Sequence, residues 1–112
     1  MTSIWKHETP PKAPFYAVIF ISIRSENLEG YAETDNRMME LARQQPGYLG
    51  YSSADGIFIS YWEDLEAIQA WKNNQEHGQA KANASKWYAY YHSMVTRVES
   101  SRIFDPHLQI SR

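Results

Sequence analysis

An α+β domain, with an antiparallel sheet carrying helices on one face, is the fold class this sequence predicts, and three observations point to it. The run FYAVIFISIR, from Phe15 to Arg24, is apolar on both alternating faces until Ser22 and Arg24, as in a strand covered on both sides. From Leu28 to Gln45 the apolar residues change to helical spacing. Farther on, Asp55-Gly56 joins two short apolar runs with the residue pair that favours a two-residue hairpin.

Taken in order, residues 1–14 hold Pro10, Pro11 and Pro14 among polar neighbours, which predicts an extended arm without a regular element. Phe15–Arg24 is then a central strand. Ser25-Glu26-Asn27 offers turn and N-cap chemistry before a helix that presents Leu28, Tyr31, Met38, Leu41 and Ala42 on one side, with Glu29, Glu33, Arg37, Glu40 and Arg43 around the rest. Pro46-Gly47 ends it. GYLGYSSA reads as a strand weakened by glycines, and IFISYW as the returning arm of the hairpin.

Asp64 is a suitable N-cap for a helix through Leu65, Ile68 and Trp71, with acidic residues in the first turn as the macrodipole prefers. Asn73-Asn74 predicts a break. A second helix is expected from about Gln75, carrying His77, Ala80, Lys81 and Ala84. Trp87 to Tyr91 is a dense aromatic patch, and His92 to Ser100 alternates as a last strand. The tail over residues 101–112 has Ile103, Phe104, Leu108 and Ile110 without a clear period, which makes it a candidate to reach across to a partner subunit.

Strand, helix, strand, strand, helix, strand is the ferredoxin-like plan. Helices then cover one face of a sheet whose strands are apolar on both. The other face needs a cover, and a homodimer packed sheet against sheet would provide it.

Composition narrows the function. A chain of 112 residues holds one domain, expected here over residues 15–100. Aromatic residues reach 14%, more flat amphipathic surface than so small a core requires, which predicts a lined cavity or an interface. A net charge of −2 creates no field for nucleic acid or anionic lipid. The absence of cysteine excludes disulfides, thiolate metal sites and cysteine nucleophiles. No secretory h-region opens the chain, and the longest apolar run, Tyr16 to Ile21, is far short of a membrane span, so a soluble cytoplasmic protein is expected. Metal-binding spacings such as H-E-x-x-H, a glycine-rich phosphate loop and a G-x-S-x-G elbow are all missing. QPGYLGY echoes the aromatic strand of RNA-recognition motifs, but it lacks the basic residue before the glycine and lies on the second strand in an acidic chain.

Four stretches, YAVIFISIR, QQPGYLGYSS, GIFISYWEDLEAIQAWKNNQEH and WYAYYHSMVTRVE, together resemble the antibiotic biosynthesis monooxygenase domain of the dimeric α/β-barrel superfamily. The resemblance covers roughly residues 15–100. It implies a pocket in each subunit between the sheet and its helices, and a dimer formed by the sheets. Characterised members are of two kinds. Some oxidise polycyclic phenols to quinones with dioxygen and no cofactor; others bind and degrade haem. For the first kind a proton acceptor, hydrogen-bond donors for an oxyanion and a dry flat pocket suffice, and histidine, tyrosine and tryptophan supply them. The second kind uses an asparagine on the first strand, which Phe15–Arg24 lacks, and a histidine about one helical turn beyond His77, where this chain has Lys81. Haem degradation is weakened accordingly, although His77 or His92 could bind iron in another geometry.

Each candidate also has a plain structural reading. On one unbroken helix Trp71 and His77 would lie roughly 120° apart, so they share a pocket only if the chain bends at Asn73-Asn74. Otherwise His77 is a hydrated surface residue and Trp71 a core anchor. Tyr61 and Trp62 face opposite sides of their strand, and only one can look toward the helices. Trp87, Tyr88, Tyr90 and Tyr91 can roof a pocket or simply close the end of the barrel. His92 and Arg97 read first as structural or exposed residues, and His7 and His107 carry no functional expectation.

The resulting expectation is a homodimeric, cofactor-independent monooxygenase acting on a small aromatic phenol or quinol. His77 is the proton acceptor, Tyr61 or Tyr88 the oxyanion donor, and Trp71, Trp87, Trp62 and His92 line the ligand site. The alternatives are a non-enzymatic dimeric module that binds an aromatic or haem-like ligand, and a haem-degrading monooxygenase.

Overall fold

The computed structural model describes residues 2–7 and 9–106. The elements are β1 (Thr2–Trp5), β2 (Phe15–Arg24), α1 (Tyr31–Arg43), β3 (Tyr48–Ala54), β4 (Ile57–Trp62), α2 (Leu65–Lys72), α3 (Gln75–Ala82), α4 (Ala84–Trp87) and β5 (Tyr88–Val98). The strands form one antiparallel sheet in the order β1-β3-β4-β2-β5. Its last four members, with α1 and the α2–α4 segment, make the ferredoxin-like βαββαβ unit, and the helices lie on one face.

Four boundaries differ from expectation, one being that the helix from Gln75 ends at Ala82, with Asn83 as its C-cap, so that Ala84 opens the separate α4. The N-terminal arm does contain a regular element, because its prolines all follow Trp5 and leave Thr2–Trp5 free to pair with β3. Gly50 makes room for this strand: a Cβ there would run into the backbone of Ile4 and the ring of Trp5. Helix α1 begins at Tyr31 after a left-handed Gly30, since Ser25 and Asn27 spend their side-chain bonds on the preceding loop. Strand β5 begins at Tyr88, because its consecutive aromatic residues hide the alternation that the pairing with β2 reveals. Of the tail, residues 101–106 are described; His107, Leu108 and Ile110 lie outside the described residues.

The two helix starts that frame the site follow from local chemistry. Asp64 accepts the Ala67 N–H at 2.8 Å to begin α2, and Asn74 accepts the His77 N–H at 3.1 Å to begin α3. The chain thus turns at Asn73-Asn74 as its sequence predicts. Gly47, with φ 84°, allows α2 to close on the sheet, because a Cβ there would fall 2.6 Å from that of Ala67.

The core lies between the helices and the sheet, where Ala42, Tyr48, Trp62, Ile68 and Trp71 pack together. The opposite face is apolar and open. Register places Phe15, Ala17, Ile19, Ile21 and Ile23 beside Ile57, Ile59 and Tyr61, and Ile21, Ile23 and Ile57 are 38%, 61% and 40% exposed. No helix among the described residues is long and apolar enough to cross a membrane.

Candidate active site

A cavity of about 300 Å³ lies between the helices and the sheet, within the size range of small-molecule sites. Its floor comes from the helix-facing residues of β2 and β4, among them Val18, Phe20, Ser60 and Trp62. One wall is a stack of rings. Trp62 lies 6.1 Å from Trp71, and Trp71 lies 4.2 Å from the His77 ring at an interplanar angle of 12°. The other wall is the group formed by Tyr31, Trp87, Tyr88 and Phe20, with Trp87 edge-on to Tyr31 at 5.8 Å and Phe20 at 5.1 Å from Tyr88.

The bend at Asn73-Asn74 is what brings His77 back over Trp71. Its Nδ1 lies 3.0 Å from the Trp71 carbonyl oxygen. A carbonyl can only accept, so Nδ1 carries the hydrogen and the neutral ring keeps its lone pair on Nε2. Burial is the main influence on its pKa and lowers it; the bond to Trp71 works against this, and the charge of Lys81 adds to the lowering. His77 is therefore a neutral imidazole near pH 7.

Several other polar groups of the lining are already occupied. The Trp62 indole N–H donates to Ser60 Oγ at 2.9 Å, and that of Trp87 donates to the Glu29 carbonyl at 2.8 Å. Tyr88 O–H donates to Tyr31 Oη across 3.5 Å, a weak bond. Burial, then this bond, raises the Tyr88 pKa well above the usual phenol value, so the hydroxyl stays protonated and available as a donor. Burial likewise raises that of Tyr48, a further lining residue, to about 12.

Of the residues singled out in the sequence, His77, Trp71, Trp87, Trp62 and Tyr88 line this cavity together. Tyr61 and His92 do not. Tyr61 projects from the other face of β4, where it packs with Trp5 and Phe15 and shares a 2.7 Å hydrogen bond with Ser52. His92 is paired with Ile21 and shares its open face, because alternation along β5 sends Tyr91 and Ser93 to the helix side instead. Three charged lining residues were not anticipated as part of a site: Asp35, Lys72 and Lys81. A signal for Asp35 existed, since it falls within the Tyr31, Met38, Ala42 stripe of α1, where a carboxylate interrupts an apolar face. Burial raises its pKa, with Arg24 opposing the shift. Among the described residues no group of His, Asp and Glu side chains is gathered for a metal ion.

The sheet with helices on one face is a fold that known proteins share. The sequence model for antibiotic biosynthesis monooxygenases matches residues 14–83, and the chain belongs to that family. It is 47% identical over 100 residues to the uncharacterised protein YqjZ of Bacillus subtilis, covering 84% of this chain and 88% of that one. Among solved structures it is similar to a protein of unknown function from Nitrosomonas europaea, with a TM-score of 0.64 and 14% identity over 85% of this chain and 99% of the other. It is also similar to SnoaB, a cofactor-independent oxygenase from Streptomyces nogalater, with a TM-score of 0.62 and 11% identity over 85% of this chain and all of that one, 100%. At these identities the structural likenesses establish the fold.

Proposed function

We propose that the protein is a cytoplasmic, homodimeric monooxygenase that oxidises a small aromatic phenol or quinol with dioxygen and without a cofactor. The observation that carries this reading is the His77 ring, stacked on Trp71 in an aromatic cavity, with Nδ1 tied to a backbone carbonyl and Nε2 left as a proton acceptor. Family membership and the likeness to SnoaB support the reaction class. The lack of cysteine fits a reducing compartment.

In this reading the substrate lies flat between the two aromatic walls, and its hydroxyl gives a proton to His77 Nε2. The electron-rich phenolate reduces dioxygen by one electron, and the two radicals join at the ring carbon opposite the oxygen. Cleavage of the O–O bond leaves one oxygen atom on that carbon as a carbonyl. The other leaves as water with the hydroxyl hydrogen and the ring hydrogen, so phenol and dioxygen yield quinone and water. Tyr88 stays protonated and donates to the developing oxyanion, for which its long bond to Tyr31 can yield. Trp62, Trp71 and Trp87 exclude water. Tyr61 and His92, on the far side of the sheet, take no part.

Residues 15–100 form the working domain in this proposal, with β1 as an added edge strand. The open sheet face, carrying Ile21, Ile23 and Ile57, supports pairing with a second copy. The test is dioxygen uptake by the metal-free protein with a panel of naphthols and anthrols whose ring carbon opposite the hydroxyl carries a hydrogen, beside His77→Ala. Uptake that falls at least about a hundredfold in the variant is expected for loss of a general base. No uptake above the buffer rate would move the reading to a ligand-binding module.

A further inference from the structure

The charged lining of the cavity is unbalanced. Lys72 follows Trp71 in the chain, and Lys81 lies one helical turn beyond His77, near enough for its charge to influence the imidazole. Neither lysine has an ion-pair partner among the described residues, where the pairs are Arg37 with Glu40 and Glu76, and Arg97 with Glu99. Glu76, on the same helix as Lys81, is committed to Arg37 by two bonds of 2.9 and 3.0 Å. Asp35 is the carboxylate of the lining; the burial that favours its neutral form and the opposing charge of Arg24 leave it little to offer the lysines. Both lysines occupy last helical turns, where a cation complements the dipole. That preference accounts for a lysine at a helix end, though not for two of them bordering one otherwise apolar cavity.

We infer that the cavity takes aromatic ligands bearing an ionised acidic group, a carboxylate or an equivalent oxyanion on the ring system, which Lys72 and Lys81 receive beside His77. The inference rests on the cavity being the substrate site, and it narrows the substrate class from phenols in general to those with an anionic substituent. Both lysines are exposed, so each alone gains only modestly from a ligand charge, but an anion held in the cavity meets the two together.

The test is titration of the full-length protein, followed by tryptophan fluorescence, with 2-naphthoate and with 2-naphthalenemethanol, an uncharged probe of similar shape. Naphthoate is expected to bind about tenfold more tightly at low ionic strength, an advantage of about 1.4 kcal/mol. Added salt should shrink that advantage. Lys72→Met with Lys81→Met, which keeps most of each apolar stem, should equalise the two probes. Should the double variant fold poorly, each single variant is expected to lose part of the preference. Equal binding of both probes by the natural chain, or a preference that survives in the variants, would overturn the inference and leave the cavity standing as an aromatic site. Binding of neither probe would overturn both.

Discussion

Trp62 and Tyr61 are neighbours at the end of β4, and they meet opposite surroundings. Trp62 faces the helices, is 0% exposed, and sits between Tyr48 and Trp71 with its N–H on Ser60. Tyr61 faces the other way into a small cluster with Trp5 and Phe15, beyond which the sheet surface continues as exposed isoleucines. Both faces draw on the same kinds of side chain. What separates them is coverage: α1 to α4 close over one face and leave a cavity there, whereas on the other face Phe15 and Ala17 are buried but Ile21, Ile23 and Ile57 stay exposed among the described residues. The proposed chemistry thus belongs to the Trp62 side and the proposed assembly to the Tyr61 side.

The sharpest way to break this comparison is to remove the buried member. Trp62→Ala should cost about 3–5 kcal/mol, enough to unfold much of a small domain, as read by urea denaturation. Tyr61→Phe, which loses only the hydroxyl bond to Ser52, should cost about 1 kcal/mol. Similar losses for the two would mean that the faces are equally important to the fold of a single chain.

A smaller change to stability but a clear one to assembly is expected from Ile21→Glu combined with Ile57→Glu. Light scattering after size exclusion should show a dimer for the natural chain and a monomer for the variant. A natural chain that is monomeric at micromolar concentration would remove the assembly role from the open face. On the helix side, Asn74→Ala deletes the cap of α3 and should cost about 1 kcal/mol. Because that cap also fixes where His77 enters its helix, any oxygenase activity should fall by more than the loss of stability explains, while Asp64→Ala, at the cap of α2, should affect stability alone.

The smallest effect concerns pH. The folded-state pKa of His77 is depressed below its ordinary value of 6.5, chiefly by burial. Between the two values the unfolded chain binds more protons than the folded one, so stability rises with pH through that window. The contribution is fully present above pH 6.5 and is lost as pH falls through the folded value. His77→Gln should flatten this slope in denaturation curves, and uptake of dioxygen should in turn pass its half-maximal point below pH 6.5.

Much of this was legible before any coordinates. The cap at Asp64, the break at Asn73-Asn74, the Asp55-Gly56 turn and the stop at Pro46-Gly47 are local devices, and each acts within a few residues of where it is written. The apolar runs likewise revealed the central strand and the need for a second cover. Three things were hidden. β1 depends on the absence of a side chain at Gly50, a contact between residues far apart in sequence. The start of β5 was masked because Tyr88 to Tyr91 are aromatic on both faces, leaving no period to read. The lining of the cavity by Asp35, Lys72 and Lys81 arises from three different helices meeting.

The sequence by itself determined the order of the βαββαβ elements, the family to which they belong and the break at Asn73-Asn74, because periodicity and capping are properties of adjacent residues. Only the tertiary structure decided that the break folds His77 onto Trp71, that Trp62 and not Tyr61 faces the cavity, and that His92 looks outward. A strand's alternation says that neighbours part company without saying which way. That choice is made when helices settle on one face, and packing decides it.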